Sequence, residues 1–406
     1  SAFKKVIERH DSLRTTFFTE GNSFYQRVHP HIDFRLERVS IDNTDPLGIW
    51  EEADQRLREV ACRPLDLTSG PLIHASLIEV EPEDHLLIFV RHHILYDGWS
   101  NMNFLHELSA HYNSLCSGTE PDLPEMPIQL ADYSTWLNRK LENGGFADQI
   151  RYWQEHLKDL PDPLELPADF PHVPSSRQTG GRLLRAIRPA LMEDLQQLAK
   201  AEGATVFMVL FAAYNVFIQR LTGEQDLVIG TPIANRLRTE TAPLIGCLIN
   251  TLALRTRLAG NPCFRQVIRQ VRETALQSYS RQEVPFSRLV DLVGAKRHPG
   301  KPPVFQTHFV YQNFPEKPLQ LEGITASRWI VETGTAKFDL AFSVEPAQNG
   351  WQSKAEFNSN RFRPRSIERL LETWESLLKE IVSDPDARID GPDTPVTYAA
   401  PLAVTA

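Results

Sequence analysis

The sequence predicts an α/β (α+β) protein in two lobes of similar size, and three observations carry that expectation. The chain has 406 residues, more than one hydrophobic core usually organises. Segments with apolar residues at helical spacing are interleaved in both halves with segments that alternate like strands. Between residues 161 and 181 the composition shifts: Pro161, Pro163, Pro167, Pro171 and Pro174 precede "SSRQTGG". Helices and central strands tolerate that proline density poorly, so this stretch is read as an interlobe linker. The boundary is placed near residue 170, giving lobes 1–170 and 171–390. The aperiodic "DTPVTYAAPLAVTA" within 391–406 is read as a linker-like tail.

In the first lobe, "AFKKVIERHDSL" at 2–13 has helical spacing, and "FYQRV" and "IDFRLERVSI" alternate as strands. "DPLGIWEEADQRLREV" reads as a helix with Asp45 as cap and Pro46 at its first position. "PLIHASLIEV" and "HLLIFVRHH" flank the acidic turn "EPED", a hairpin signal. Beyond Gly98, Phe104, Leu105, Leu108, Tyr112 and Leu115 share a helical face. The second lobe reads as helices "PALMEDLQQLAKAEG" and "TVFMVLFAAYNVFIQRLTG", strands "DLVIG" and "LIGCLINTLALRTRL", and helix "FRQVIRQVRETALQSY". Strands "VFQTHFVYQN" and "FDLAFSVE" and a final helix "PRSIERLLETWESLLKEIV" complete it. No internal repeat is visible in the letters.

Composition excludes several classes. The 43 basic and 52 acidic residues give a net charge of −9 with no long run of one sign, which argues against nucleic acid and anionic membrane as partners. Cys62, Cys116, Cys247 and Cys263 are scattered without a C-x-x-C pair, fitting neither a disulfide framework nor a zinc knuckle; a reducing cytoplasm is the economical location. The apolar run at 205–218 is too short to span a bilayer and contains Thr205, Tyr214 and Asn215, so it is read as a buried helix. No segment has the pattern of a signal peptide.

The chemistry concentrates in "RHHILYDGWS" at 91–100, at the junction of a strand and a helix, a common setting for exposed reactive groups. Neighbouring strand residues point to opposite faces, so one of His92 and His93 acts and the other supports. A metal site needs three or four converging ligands, and only His93 and Asp97 stand at i and i+4; no metal is assigned.

"HHILYDG" resembles the HHxxxDG signature of condensation domains of nonribosomal peptide synthetases, a family with the chloramphenicol acetyltransferase fold. Five further stretches follow in the family's order. "RHDSLRTTF" at 9–17 resembles RHExLRTxF, and "LADYSTWL" at 130–137 resembles YxDYAxW. "IGCLINTLALR" at 245–255 resembles IGxFVNTxxxR, "RQEVPFSRLV" at 281–290 resembles HQDxPFExLV, and "PVFQTHFVYQN" at 303–313 resembles the PLFQ strand. There are departures. The family opens with a further helix and strand bearing an SxAQ-type motif, whereas this chain starts at Ser1, so its start is read as truncated. "KRHPGKPPVF" alters the RDxSRxPLF motif, and Cys247 and Leu248 stand where aromatic residues are common. Cys247 is read as a buried, apolar cysteine.

The resemblance implies two chloramphenicol acetyltransferase-like lobes forming a V-shaped pseudo-dimer with a tunnel between them. Donor and acceptor peptidyl carrier protein domains deliver thioesters there on phosphopantetheine arms, with no permanently bound cofactor and with an adjacent adenylation domain in a longer chain. It implies acyltransferase chemistry: the acceptor amine attacks the donor acyl carbonyl, an amide forms and a thiol leaves. An α-amine with a pKa of about 7.7–8.0 is partly free at neutral pH. Alignment is worth roughly 7–11 kcal/mol against a general base's 10²- to 10⁴-fold, about 3–5 kcal/mol, so positioning dominates.

On this account His93 serves the amine, either orienting it by hydrogen bonding or accepting its proton, roles a neutral imidazole suits equally, and His92 points into the lobe as a structural hydrogen-bonding group. Asp97 forms a structural salt bridge, with Arg236 in "PIANR" as partner and Arg238 or a solvated arginine as alternatives. Gly98 either presents an N–H toward the oxyanion or is a plain turn glycine. Ser100 is a helix-start residue rather than a nucleophile, since no G-x-S-x-G surrounds it. Trp99, Ser100, Asn250 and Thr251 are assigned to the tunnel lining, and Tyr133 and Trp136 to packing.

Competing expectations are a starter or free-standing acyltransferase using acyl-CoA and a catalytically silent recruitment scaffold, against which retention of His93, Asp97 and Gly98 argues. Heterocyclisation relatives replace the two histidines with an aspartate motif. Epimerisation relatives usually read S-W after DGV, whereas here Trp99 precedes Ser100, and their later glutamate-bearing motif has no match.

Overall fold

The computed structural model describes residues 1–42, 45–171, 179–296, 298, 300–313, 318–329, 331, 333–348 and 350–390. Its contacts separate into two units, each discontinuous in sequence. The first comprises 1–145, 234–249 and 314–333, and the second comprises 146–233, 250–313 and 334–406.

The first unit holds α1 (Ala2–Arg9), β1 (Thr15–Glu20), β2 (Ser23–Val28), β3 (Leu36–Ser40), α2 (Pro46–Ala61), β4 (Ile73–Glu79) and β5 (His85–Arg91), followed by α3 (Gly98–Ser117) and α4 (Leu130–Glu142). β1 and β2 form a hairpin, and β3-β4-β5 form a three-stranded sheet in which β3 is parallel and β5 antiparallel to β4. Asp45 caps α2 by accepting from the Gly48 N–H at 3.0 Å, as the sequence predicts. Ala53, Leu57 and Val60 of α2 bury against Ile78 and Ile88 of the sheet. A second cluster joins Val6, Ile7, Leu13, Leu72, Ile73, Leu95, Phe104 and Leu108 to Ile245, which reaches this core from the middle of the chain.

The second unit contains α5 (Ala147–His156), β6 (Gly180–Ile187), α6 (Pro189–Ala201), α7 (Val206–Thr222), β7 (Asp226–Ile233), β8 (Asn250–Arg257), α8 (Phe264–Tyr279) and α9 (Phe286–Leu292). β9 (Thr307–Tyr311), β10 (Leu340–Ala347), β11 (Gly350–Asn358) and α10 (Pro364–Ser383) complete it. Its sheet runs β6-β11-β10-β9-β7-β8, with β9 parallel to both neighbours and every other pairing antiparallel. α7 starts at Thr205, whose side chain caps the Met208 N–H, and stops at left-handed Gly223 (φ 79°). Tyr214 and Phe217 of this buried helix pack with Phe309, Phe342 and Trp374. No single helix among the described residues is long and apolar enough to cross a membrane.

Three expectations need correction. The division by packing does not fall at residue 170: 146–170 belongs with the second unit, while 234–249 and 314–333 belong with the first. Trp153 of α5 is buried and donates to the Arg281 carbonyl at 2.8 Å. The described part of the proline-rich stretch, 161–171, is tied to the second unit, and 172–178 lie outside the described residues: the Leu164 N–H donates to Gln306 Oε1 at 2.7 Å, the Phe170 N–H donates to the Arg361 carbonyl, and the Arg361 guanidinium donates back to the Phe170 carbonyl. Hydrogen bonds therefore fix where this part of the chain runs. The strand expected over 244–258 begins only at Asn250, because 244–249 is diverted into the first unit. β6 and β11 go unread in the sequence, since their half-buried residues mix charged and apolar types. The tail at 391–406 and part of "KRHPGKPPVF" lie outside the described residues.

Two histidines make the second unit acid-sensitive. Burial, reinforced by Arg255 and Arg257, pulls the His156 imidazole down to about 4. Its Nε2 accepts from the Arg255 backbone N–H at 3.3 Å, which requires the neutral ring. Burial against Phe305 and Phe338, with Lys337 adding to the effect, pulls His308 down to about 4. In the unfolded chain each titrates near about 6.5, so below that pH the unfolded state binds more protons. Stability is full above about 6.5 and falls toward pH 4 by about 1.4 kcal/mol per unit for each ring. Thermal midpoints measured from pH 7.5 to 4.5 should fall, and His308→Phe should flatten the fall; a flat wild-type profile contradicts the assignment.

Candidate active site

β5 ends at Arg91, one residue before the histidine pair. His92 is extended (φ −66°, ψ 135°) and opens a 3-10 turn over His93–Leu95, with its Nδ1 accepting from the Ile94 N–H at 3.2 Å. The two rings therefore part company through the turn, and strand alternation is not the cause. His92 folds back on its own backbone. His93 is exposed, stacks on Tyr96 with ring centroids 5.4 Å apart, and turns Nδ1 toward Cys247 Sγ at 3.8 Å. The Tyr96 ring is backed by the Arg91 guanidinium at 4.1 Å. Phe89 and Phe104 also face that cation, and Arg91 donates to Asn101 Oδ1 at 2.5 Å. Burial pulls Arg91 down to about 10, so it stays charged at neutral pH.

Asp97 is 2% exposed and caps α3. Its Oδ1 accepts from the Ser100 N–H at 2.8 Å, and its Oδ2 accepts from the Leu248 and Ile249 N–H groups at 3.0 and 3.1 Å. The salt bridge joins Asp97 to Arg236 at 3.1 Å, with the arginine side chain 1% exposed. Asn235, at φ 52°, makes the left-handed turn that delivers this arginine. Arg236 also donates to the carbonyls of Thr241 and Leu244 at 2.6 and 3.0 Å. Burial lowers its affinity for its proton, and Asp97 opposes the shift. Arg238 instead lies over the Trp136 ring at 4.2 Å, while Tyr133 packs against the same tryptophan.

Ser100 is the hub of this framework and is fully buried. The single hydroxyl hydrogen has Asp97 Oδ1 and the Gly246 carbonyl both at 2.7 Å, and the oxygen accepts from Arg236 and the Gly246 N–H. It therefore cannot line a passage, which corrects the expectation for this residue. Trp99 is also tied inward, its indole N–H donating to the Ala242 carbonyl at 3.0 Å. Asn250, at 7% exposure, is likewise committed within the second unit. It donates to the Gln282 and Val284 carbonyls and accepts from the Phe286 N–H, latching the "RQEVPF" loop to β8. Thr251 is partly exposed and pairs with Pro232 across the β7–β8 ladder. Gly98, the first residue of α3, is exposed, and among the described residues nothing lies within 4 Å of where a Cβ would stand. Ser100→Ala strips several buried partners at once, so a loss of about 1–3 kcal/mol in urea unfolding is expected; a change within about 0.5 kcal/mol would show that the hydroxyl is no hub.

The "RHDSLRTTF" stretch serves the same framework. His10 is buried, with Nδ1 accepting from the Ile245 N–H at 3.4 Å and Nε2 against Glu107 at 2.8 Å. Ser12 donates to the Ile245 carbonyl at 2.5 Å. Segment 244–249 is thus held from both sides, with Cys247 at its centre. That cysteine is partly exposed rather than buried, because the flanking amides turn toward Asp97 and Ser100 and leave its side chain facing His93. Nothing in the sequence signals this, since Cys247 stands at the unspecified position of the IGxFVNT pattern. Among the described residues no three His, Cys, Asp or Glu side chains are arranged to hold a metal ion.

The site thus presents an exposed imidazole on a short turn beside a buried aspartate–arginine pair. The chain belongs to the condensation domain family, whose model matches residues 1–397. One of the linear gramicidin synthase polypeptides of Brevibacillus parabrevis is 37% identical over 391 residues, covering 96% of this chain. The chain spans only 8% of that relative's length. The X-domain from teicoplanin biosynthesis has the same fold, with a TM-score of 0.86 at 24% identity over 96% of this chain and 87% of that one. So does the starter condensation domain of rhizomide synthetase in a complex with C8-CoA, with a TM-score of 0.80 at 21% identity over 97% and 87%. The chloramphenicol acetyltransferase-like mixed α/β architecture is thereby established.

Proposed function

We propose that this chain joins a donor acyl or peptidyl thioester to the amine of an acceptor aminoacyl thioester, both carried on phosphopantetheine arms of carrier proteins. The observation that carries the reading is the division of labour within the motif. Asp97 and Ser100 are consumed by the framework, whereas the His93 ring is exposed on a turn that the framework holds. With Nδ1 facing Cys247, Nε2 is the ring nitrogen that meets the acceptor amine. The amine nitrogen attacks the thioester carbonyl, His93 takes its proton, and the C–S bond breaks as the departing thiolate recovers a proton. The Gly98 N–H, at the positive end of α3, supports the oxyanion. The small share of the gramicidin synthase polypeptide that the chain spans supports placing it as one domain of a synthetase, with an adenylation domain loading the carriers.

The test is to load donor and acceptor carrier proteins with different acyl groups, add this chain, and follow the acceptor by intact-protein mass spectrometry. A mass gain equal to the donor acyl group is expected. No gain from carriers, with a gain when acyl-CoA replaces the donor, would favour a starter or free-standing acyltransferase. No gain from either donor would favour a recruitment scaffold.

A further inference from the structure

We propose that Cys247 is a thioester-exchange site, a thiol that His93 activates and that takes up the acyl group of a thioester donor. The inference rests on the reading of this site as one that meets acyl thioesters. Cys247 Sγ lies 3.8 Å from His93 Nδ1, and the cysteine is partly exposed. An imidazole at that distance can take the thiol proton and leave a thiolate, the nucleophilic form of cysteine. The thiol is also preorganised. Gly246 on one side is bonded through both its N–H and its carbonyl to Ser100, and Leu248 and Ile249 on the other donate to Asp97. Neither partner needs to move for the pair to form.

The step balances without any redox change. The Cys247 thiol proton passes to His93 Nδ1, and the sulfur adds to the thioester carbonyl carbon. The adduct then collapses with cleavage of the bond to the pantetheine sulfur, which leaves and takes the proton from the imidazole. The products are an acyl–Cys247 thioester and a free pantetheine thiol, and one thioester replaces another, so the exchange is reversible.

The chain's other cysteines are built-in controls: Cys62 and Cys116 are exposed, and Cys263 is partly exposed like Cys247. Limiting iodoacetamide on the folded chain, with peptide mapping, is expected to alkylate Cys247 at least about tenfold faster than Cys263. His93→Gln should bring the two rates together. Incubation with an acyl-N-acetylcysteamine thioester should then add one acyl mass to the peptide holding Cys247, removable by hydroxylamine and absent from Cys247→Ala. Alkylation no faster than at Cys263, or no acyl mass at Cys247, overturns the proposal. Carrier-to-carrier transfer measured on the same preparation separates the two readings. Transfer without acylated Cys247 refutes the exchange site and keeps condensation, whereas acylated Cys247 without transfer does the reverse.

Discussion

His93→Ala is expected to slow acyl transfer between carriers by about 10²- to 10⁴-fold, the range a positioned proton acceptor supplies, and to leave a measurable residual rate. That residual rate follows from magnitudes. Aligning an amine with an already activated thioester is worth roughly 7–11 kcal/mol, and that contribution belongs to the whole binding site rather than to one imidazole. The same variant should unfold within about 0.5 kcal/mol of wild type, since the ring is exposed and its contacts include a stacking neighbour, Tyr96, and a thiol, Cys247. Single-turnover transfer and urea unfolding on one preparation check both halves. Undiminished transfer removes His93 from the mechanism. A stability loss comparable to that of a core mutation would recast the ring as structural. His92→Ala should behave in the opposite way, losing a turn cap worth about 0.5–2 kcal/mol with a smaller effect on transfer.

Asp97→Ala should be the most destabilising single change at the site, by about 3–5 kcal/mol, because it leaves the Arg236 charge buried without its partner. It also removes the acceptor of the Ser100, Leu248 and Ile249 N–H groups. Asp97→Asn keeps a carbonyl oxygen in place and should cost less. The double variant Asp97→Leu with Arg236→Met removes both charges and should be more stable than Asp97→Ala alone, since it leaves no buried ion unpaired. Urea midpoints for these variants and the wild type, together with the single Asp97→Leu and Arg236→Met changes, measure the coupling directly. Additive losses would mean that the two side chains do not act as a pair. Because this framework also sets Cys247 against His93, Asp97→Ala should abolish the selective alkylation of Cys247 even in the fraction that remains folded.

Much of the fold is legible in the sequence because its signals are local. Asp45 ahead of Pro46 is a capping signal, and the cap is present; "HLLIFVRHH" after "EPED" is a hairpin signal, and the hairpin is present. Packing partners distant in sequence are not legible in this way. The choice between Arg236 and Arg238 depends on a left-handed turn at Asn235, and nothing in the adjacent letters distinguishes the two arginines. Ser100 and Asn250 read as lining because a small polar residue beside a motif looks the same whether it faces solvent or carries a buried network. Cys247 misleads for the opposite reason: a thiol among apolar residues reads as core, and only the backbone bonds of its neighbours turn it outward.

The family, the order of most helices and strands, and the stretch where the chemistry concentrates are all written in local letters, because helix and strand periodicity, caps and turn signals act over a few residues. Packing settles which imidazole is presented, which arginine meets Asp97, and that 234–249 leaves its sequence neighbours to complete the first unit. Those outcomes depend on burial and hydrogen-bond satisfaction between segments far apart in the chain, such as Asp97 with Leu248 and Ser12 with Ile245. A buried polar group must find its partner wherever the fold supplies one, and the chain order does not reveal where that is.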